Sequence, residues 1–438
     1  MSRLERLWRL RMDTTPWRGS RDFRLLFLAG TVFYLGGMVG YVALPYQLYQ
    51  LTRSNFVVGA VGAVELVPLV VFGLWGGALA DHLDRRTMVV WTGVAQALLT
   101  GLLVVNAFLA TPRVWVIFVV AALLSAAQSL QRPSREALLP RTVPHDQLTA
   151  AVALSSVGMQ VGMLAGPAVG GVLLHVVGVG WCFLVEVVGL VAATALFARM
   201  RRYPPTESTS PPSLSGIRDG LVYAVRRRDL LGTYVIDIVA MLMAMPTVLF
   251  PALAQDVLRR PEVLGLLYSA GTAGALLAAL TSGWAARVHR HGRAVVLAAM
   301  GWGASVALAG VVGQVWLVLL CFALAGAADQ VSGIFRGTIW HQTIPDTMRG
   351  RLAGIEMLSY SIGPLGGQIR SGLVADRFGV RTAVASGGVL CVLGVIGTAA
   401  WLRGFWDYDE RTDEYAVRER HVRAGRTAGS GGDAAGEG

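Results

Sequence analysis

"GGALADHLDRR", residues 76–86, ends one apolar run and leads almost at once into the next. The preceding run, from Phe56, is apolar apart from Glu65, and apolar sequence resumes at Met88. A break this short, carrying Asp81, Asp84, Arg85 and Arg86, joins two long apolar segments as a tight polar hairpin. A bilayer core is spanned by about 20 apolar residues in a helix, so each flanking run is long enough to cross it.

The pattern repeats along the chain. Twelve apolar segments can be marked, with centres near Tyr34, Val70, Leu99, Val120, Val161, Val191, Met241, Leu276, Ser305, Ala323, Ile362 and Val392. The chain is 54% hydrophobic and only 15% charged over 438 residues, a balance that excludes an ordinary soluble domain. Net charge is +11, and with no lysine in the sequence all 38 Lys+Arg positions are arginine.

The arginines are not spread evenly. With the N-terminus inside, the outer loops hold only Arg53, Arg113, Arg259, Arg260, Arg377 and Arg381, while the inner segments hold all the others but Arg370, which lies within the eleventh apolar segment. Such a bias places both termini in the cytoplasm and accounts for the charge without a nucleic-acid partner. The apolar run after the first 24 residues lacks a small-residue cleavage site, so it reads as a retained anchor. Cys182, Cys321 and Cys391 each sit in apolar surroundings without ligand or redox spacing, as buried small hydrophobes.

"RMRRYPPTESTSPPSLSGIRDG", residues 199–220, has the Pro/Ser/Thr content of a linker and leaves six segments on each side. The expected organisation is a cytoplasmic segment 1–24, a six-helix bundle 25–200, a linker 201–229, a second bundle 230–402 and a partly disordered tail 403–438. The linker's end, "GIRDGLVYAVRRRDL", has the pattern of a short amphipathic surface helix. A shift of 201 positions superimposes Arg135 on Arg336, Thr142 on Thr343, Pro144 on Pro345, Gly162 on Gly363, Gly166 on Gly367 and Gly171 on Gly372. A common register of this kind points to duplicated halves related by a pseudo-two-fold axis, with a site between them.

On these residues the chain resembles the major facilitator superfamily, over roughly residues 20–402. The resemblance implies an all-α membrane protein of twelve transmembrane helices in two pseudo-symmetric six-helix bundles. Gly77, Asp81, Arg85 and Arg86 fit that superfamily's Gly-x-x-x-Asp-Arg-x-Gly-Arg-Arg loop between helices two and three, whereas His82 and Asp84 depart from it. The resemblance gives this loop the role of a conformational latch against the start of helix eleven, near Leu352–Glu356. Physically, an acid there can face a helix N-terminus and the arginines can pair with acids on adjacent loops, Glu136 among them. "GMQVGMLAGPAVGG", residues 158–171, places Gly158, Gly162, Gly166 and Gly170 on one helix face, with Pro167 able to bend it. Centred on Gly162, Gly166, Pro167, Gly170 and Gly171, it resembles the antiporter motif and so implies export. The stretch 249–286 with "GGALAD" resembles the enterobactin exporter and macrolide efflux branch.

Ionisable residues inside a membrane span are costly, on the order of 3 kcal/mol on insertion scales, and are functional candidates by default. Glu65, Asp237, Asp329 and Glu356 are the candidates for proton coupling or substrate contact, with Glu65 and Asp237 farthest from helix ends. Arg336, two turns from Asp329, is a candidate partner; Glu186 and Arg370 lie nearer the ends of their segments. No Walker-type loop, metal-ligand spacing or nucleophile–base constellation is present in the sequence, so neither an enzyme nor an ATP-driven pump is expected. The expected protein is a monomeric cytoplasmic-membrane exporter of a drug or siderophore-like molecule, without cofactor and driven by the proton gradient. Its partners are the small-molecule substrate, protons and the lipid bilayer. A metabolite importer or uniporter, and a non-transporting sensor docking through its arginine-rich tail, are the alternatives. On the transporter reading, residues 404–438 are expendable.

Overall fold

The apolar runs fold into long helices in the computed structural model, which describes residues 13–203 and 221–421 apart from the side chains of 74–82 and of some positions between 346 and 358. In chain order they are α1 (Arg21–Thr52), α2 (Asn55–His82), α3 (Arg85–Phe108), α4 (Val114–Thr142), α5 (Leu148–Val176) and α6 (Val179–Ala198), then α7 (Arg228–Ala244), α8 (Leu264–Leu280), α9 (His291–Val311), α10 (Val315–Thr343), α11 (Asp346–Phe378) and α12 (Val380–Trp401). Among the described residues, eleven helices are long and apolar enough to cross a membrane. The remaining one, α11, runs for 33 residues and carries more charge than its neighbours. Side chains such as Trp91 (70% exposed), Leu98 (68%), Trp316 (76%) and Trp401 (69%) face outward, an arrangement stable only if the surroundings are hydrocarbon. Cys182, Cys321 and Cys391 are free and buried, as their apolar settings require.

Pro45, Pro68, Pro167 and Pro364 lie inside α1, α2, α5 and α11, where packing in lipid retains helices that water would break. After α7, Pro246 and Pro251 cut the helix into short turns over Thr247–Val257, which end in a π turn.

The chain forms two compact units, 1–211 with 259–269, and 212–258 with 270–438. Within the first, α5 lies on α1 through its glycine face. A Cβ at Gly162 would stand 2.6 Å from Tyr34 Cβ and 2.9 Å from Leu35 N, one at Gly166 2.9 Å from Leu35 O, and one at Gly170 3.1 Å from Val39 Cα. Within the second unit, α11 meets α7 in the same way: a Cβ at Gly363 would lie 3.0 Å from Met241 Cβ, and one at Gly367 2.9 Å from Met245 Cβ. Close backbone approach is what small residues contribute where lipid offers no hydrophobic drive between helices.

The duplicated register therefore has a structural meaning inside each unit. Gly162 and Gly363 are 201 apart, but their partners Tyr34 and Met241 are offset by 207. The helix caps agree with that second offset. Ser20 Oγ, at the start of α1, donates to the Thr142 carbonyl at 2.6 Å, and Arg227 Nη1, at the start of α7, donates to the Thr343 carbonyl at 2.8 Å. So α4 and α5 repeat as α10 and α11 at 201, whereas α1 repeats as α7 at 207.

Beyond α12 the chain is packed. Phe405, Tyr408 and Ala416 are buried in the second unit, a Cβ at Gly232 would stand 2.8 Å from Phe405 Cβ, and the Arg227 guanidinium lies 3.7 Å from the centre of the Tyr415 ring. Glu410 accepts from His289 Nδ1 at 2.7 Å and from Gln342 Nε2 at 2.6 Å. Burial works against its charge, but these bonds and His291 hold the Glu410 carboxyl below its ordinary range. Residues 403–421 are thus part of the second unit's packing, which moves the start of any expendable tail from 404 to 422. The low-complexity end, 424–438, lies outside the described residues. The segment 221–226, at the end of the expected surface helix, is helical, with Leu221, Val222 and Val225 exposed; 216–220 lie outside the described residues.

Candidate functional site

About two and a half turns into α7, Asp237 lies in the interior of the second unit, opposite α10 and α11. There it is ion-paired with Arg336, and Ser359 Oγ donates to its Oδ2 at 3.2 Å. Arg336 also reaches Asp329, two turns earlier on α10, with Nη2 3.7 Å from Oδ1. Asp237 and Arg336 are buried, while Asp329 is 40% exposed along its side chain. The i, i+7 spacing of Asp329 and Arg336 puts both on one side of α10, which is why sequence alone could pair them.

Aromatic groups close this cluster. Tyr234 and Trp340 stack at 5.3 Å between ring centres, Trp340 Nε1 donates to Thr233 Oγ1 at 2.8 Å, and Tyr360 sits 6.0 Å from Trp340 and 5.7 Å from the Arg336 guanidinium carbon. Tyr360 shares a hydrogen bond with Glu356, which brings the fourth candidate acid to the edge of the group. Two acids, Asp237 and Asp329, face one guanidinium, so with both ionised the core of the cluster carries one net negative charge. A single proton neutralises it, and doing so frees Arg336 from one of its partners. Buried charge in a low-dielectric setting makes that neutralisation consequential.

The remaining candidates are elsewhere. Glu65 is on α2 in the first unit, where Ser125 Oγ donates to its backbone carbonyl at 2.8 Å. Glu186 on α6 packs its carboxyl against Gly40 of α1, where only a glycine leaves room. Arg370 donates to the Met243 carbonyl at 2.8 Å and to Ser386 Oγ at 3.4 Å, a tie between α11, α7 and α12.

At the α2–α3 hairpin, the side chains of Gly77 and Asp81 lie outside the described residues. Asp84, which departs from the superfamily loop pattern, is the N-cap of α3: Thr87 N donates to it at 2.7 Å and Tyr203 N at 2.8 Å. Burial opposes the charge on Asp84, yet these hydrogen bonds and Arg86 hold its carboxyl below the usual range. Arg85 donates to the Ala137 carbonyl at 3.3 Å, and Arg86 to the Ala198 carbonyl, so it caps the last turn of α6. Glu136, the candidate partner for these arginines, pairs instead with Arg132 one turn back on α4. The helix-five motif is placed by contacts of two kinds. Gly162, Gly166 and Gly170 face α1, while Gly171, beside Pro167, faces the start of α8, where its Cβ would lie 2.5 Å from Gly265 N. Ser269 Oγ donates to the Leu164 carbonyl at 2.9 Å and Tyr268 stacks edge-on against Tyr41, so the first turns of α8 belong to the first unit.

Comparison with known proteins identifies the family. A family model described as transmembrane secretion effector matches residues 14–420. The chain belongs to that family of the major facilitator superfamily. It is 29% identical over 387 residues to the enterobactin exporter EntS of Shigella boydii serotype 4, covering 85% of this chain and 90% of that one. The same values hold for the enterobactin exporter EntS of Escherichia coli O81. Among solved structures, a POT family transporter in complex with 5-aminolevulinic acid is similar at a TM-score of 0.69, with 11% identity, covering 88% of this chain and 97% of that one. A bacterial homologue of the iron transporter ferroportin, in an inward-facing state, has a TM-score of 0.67 at 16% identity, covering 87% and 98%. At those identities the structural likeness speaks for the fold alone. This family member is a multi-pass membrane transporter.

Proposed function

We propose that the protein exports a small organic molecule, siderophore-like or drug-like, from the cytoplasm by alternating access, in exchange for protons. One observation carries the coupling: two carboxylates, Asp237 and Asp329, share one guanidinium, Arg336, within membrane-spanning helices. A proton arriving from outside neutralises the cluster's excess charge, and its departure inward restores it. Asp237 bridges α7 to α10 and, through Ser359, to α11, so its protonation changes the contacts among three helices at once.

The direction rests on the similarity to enterobactin exporters and on the glycine face of α5. The arginine distribution supports a cytoplasmic membrane location with both termini inside. Everted vesicles containing the protein, loaded with a pH-sensitive dye and energised to an acid interior, test the reading with enterobactin as the first substrate. Enterobactin should enter and discharge the gradient. Asp237→Asn should leave folding intact and remove the proton flux. Uptake that persists unchanged after the gradient is collapsed, or a variant that exchanges protons normally, would overturn the coupling.

A further inference from the structure

The two units repeat the same helix contacts, but they do not repeat the same charges. Around Arg336 in the second unit stand Asp237 on α7, Asp329 on α10 and, at the edge, Glu356 on α11. Its counterpart in the first unit is Arg135. The 201 offset of α4 and α5 puts Gln128 where Asp329 stands and Ser155 where Glu356 stands. The 207 offset that the α1 contacts require puts Gly30 where Asp237 stands. Every acid near this arginine in one unit is a neutral residue in the other.

The geometry shows what that leaves. Arg135 is fixed in place: its Nη2 donates to the Tyr34 hydroxyl at 2.9 Å, and its guanidinium carbon lies 4.7 Å from the Phe33 ring centre and 5.0 Å from that of Tyr34. Among the described residues, its buried Nη1 has no acceptor, and the buried Oγ of Ser155, across from it on α5, has no partner. Both line a cavity of about 290 Å³ whose apolar wall includes Phe27, Leu139 and Met159. Gly30 is part of the lining, and a Cβ there would meet nothing within 4 Å. Glu136, also at the rim, is already paired with Arg132 and is mostly exposed. A held cation and a free hydroxyl donor, set in an aromatic and apolar chamber, are complementary to an acceptor bearing negative charge on an apolar body.

We propose that this cavity in the first unit is a binding site for organic anions, where the carboxylate or phenolate of an aromatic substrate takes the place that Asp237 fills in the second unit. The assignment of that ligand as the exported substrate rests on the export reading; the binding site does not. It selects by charge, favouring an aromatic acid over a neutral or cationic molecule of the same outline.

The test uses the full chain in lipid nanodiscs and equilibrium dialysis of naphthoate, naphthylmethanol and naphthylmethylammonium, three probes that share a body and differ in charge. Naphthoate should bind roughly 10-fold or more tighter than the alcohol, since a charge-assisted hydrogen bond replaces a neutral one. The ammonium should bind weakest. Arg135→Gln should reduce naphthoate to the level of the alcohol while leaving the alcohol unchanged. Gly30→Asp, which gives the first unit the acid of the second and keeps the arginine, should abolish naphthoate binding without lowering the melting temperature. That variant decides the matter if Arg135→Gln does not fold. Equal binding of the three probes by the native protein, or native naphthoate affinity in the Gly30→Asp protein, overturns the proposal. Loss of binding in both variants, with no movement of naphthoate or enterobactin in the everted vesicles, would uphold the site and sink the export reading. Normal export with charge-blind binding would do the reverse.

Discussion

Removing Arg336 and removing Asp237 should have very different consequences, although the two groups form one ion pair. With both acids ionised, the native cluster sums to one negative charge, from Asp237, Asp329 and Arg336. Arg336→Gln raises the excess to two, with Asp237 buried and deprived of its cation. Breaking a buried pair this way costs about 3–5 kcal/mol. Asp237→Asn instead lowers the sum to zero, because Arg336 still has Asp329 within 3.7 Å. The amide can keep the Ser359 contact, so the expected cost is within about 1 kcal/mol. The double variant should recover most of the loss seen in Arg336→Gln, since no uncompensated acid then remains beside position 336 except the partly exposed Asp329. Thermal unfolding of the detergent-solubilised protein, read by intrinsic fluorescence at fixed detergent and pH, ranks the three. If Asp237→Asn is as damaging as Arg336→Gln, or the double variant is worse than either, then the charge balance is not what governs this cluster.

The helix-five face offers a packing test. A Cβ at Gly162 would fall 2.6 Å from Tyr34 Cβ, closer than the 3.4 Å at which ordinary contacts begin, whereas one at Gly101 meets nothing within 4 Å. Gly162→Ala should therefore destabilise by about 1–3 kcal/mol, and Gly101→Ala should be neutral or mildly stabilising in the same melting assay. A chain ending at residue 421 should fold and transport normally. One ending at 403 loses the buried Phe405 and Tyr408 and should express poorly or melt well below the native chain, as fluorescence size-exclusion would show. The docking of 403–421 should also respond to acid. Because the Glu410 carboxyl is held below its ordinary value in the folded protein, its contribution is fully present above the ordinary glutamate range, near 4.3, and disappears as the pH falls through the lower, folded value. Limited proteolysis between pH 7 and pH 3 should show cleavage near Tyr415 rising only at the acid end, and Glu410→Gln should flatten that dependence.

What the sequence determined by itself is the membrane architecture, because that depends on sums over many residues. Twenty-residue apolar runs, short charged breaks such as 76–86 and arginines gathered on alternate loops each carry their physical reason locally. The glycine spacing at 158, 162, 166 and 170 was legible for the same cause: helical periodicity turns a spacing into a face. The pairing of Asp329 with Arg336 was within reach too, since both sit on α10. Tertiary structure alone decided that Asp237, nearly a hundred residues earlier, completes that pair. It also decided that 403–421 pack against the second unit, a fact hidden in a stretch rich in charge because Phe405, Tyr408 and Ala416 are buried one at a time. The most consequential case is Arg135. In the sequence it is one repeat of Arg336, matched at an offset of 201. Its different surroundings depend on α1 repeating at 207, a register that only helix-on-helix contact fixes, because lipid-facing sequence sets which segments span but not which residues of neighbouring spans meet.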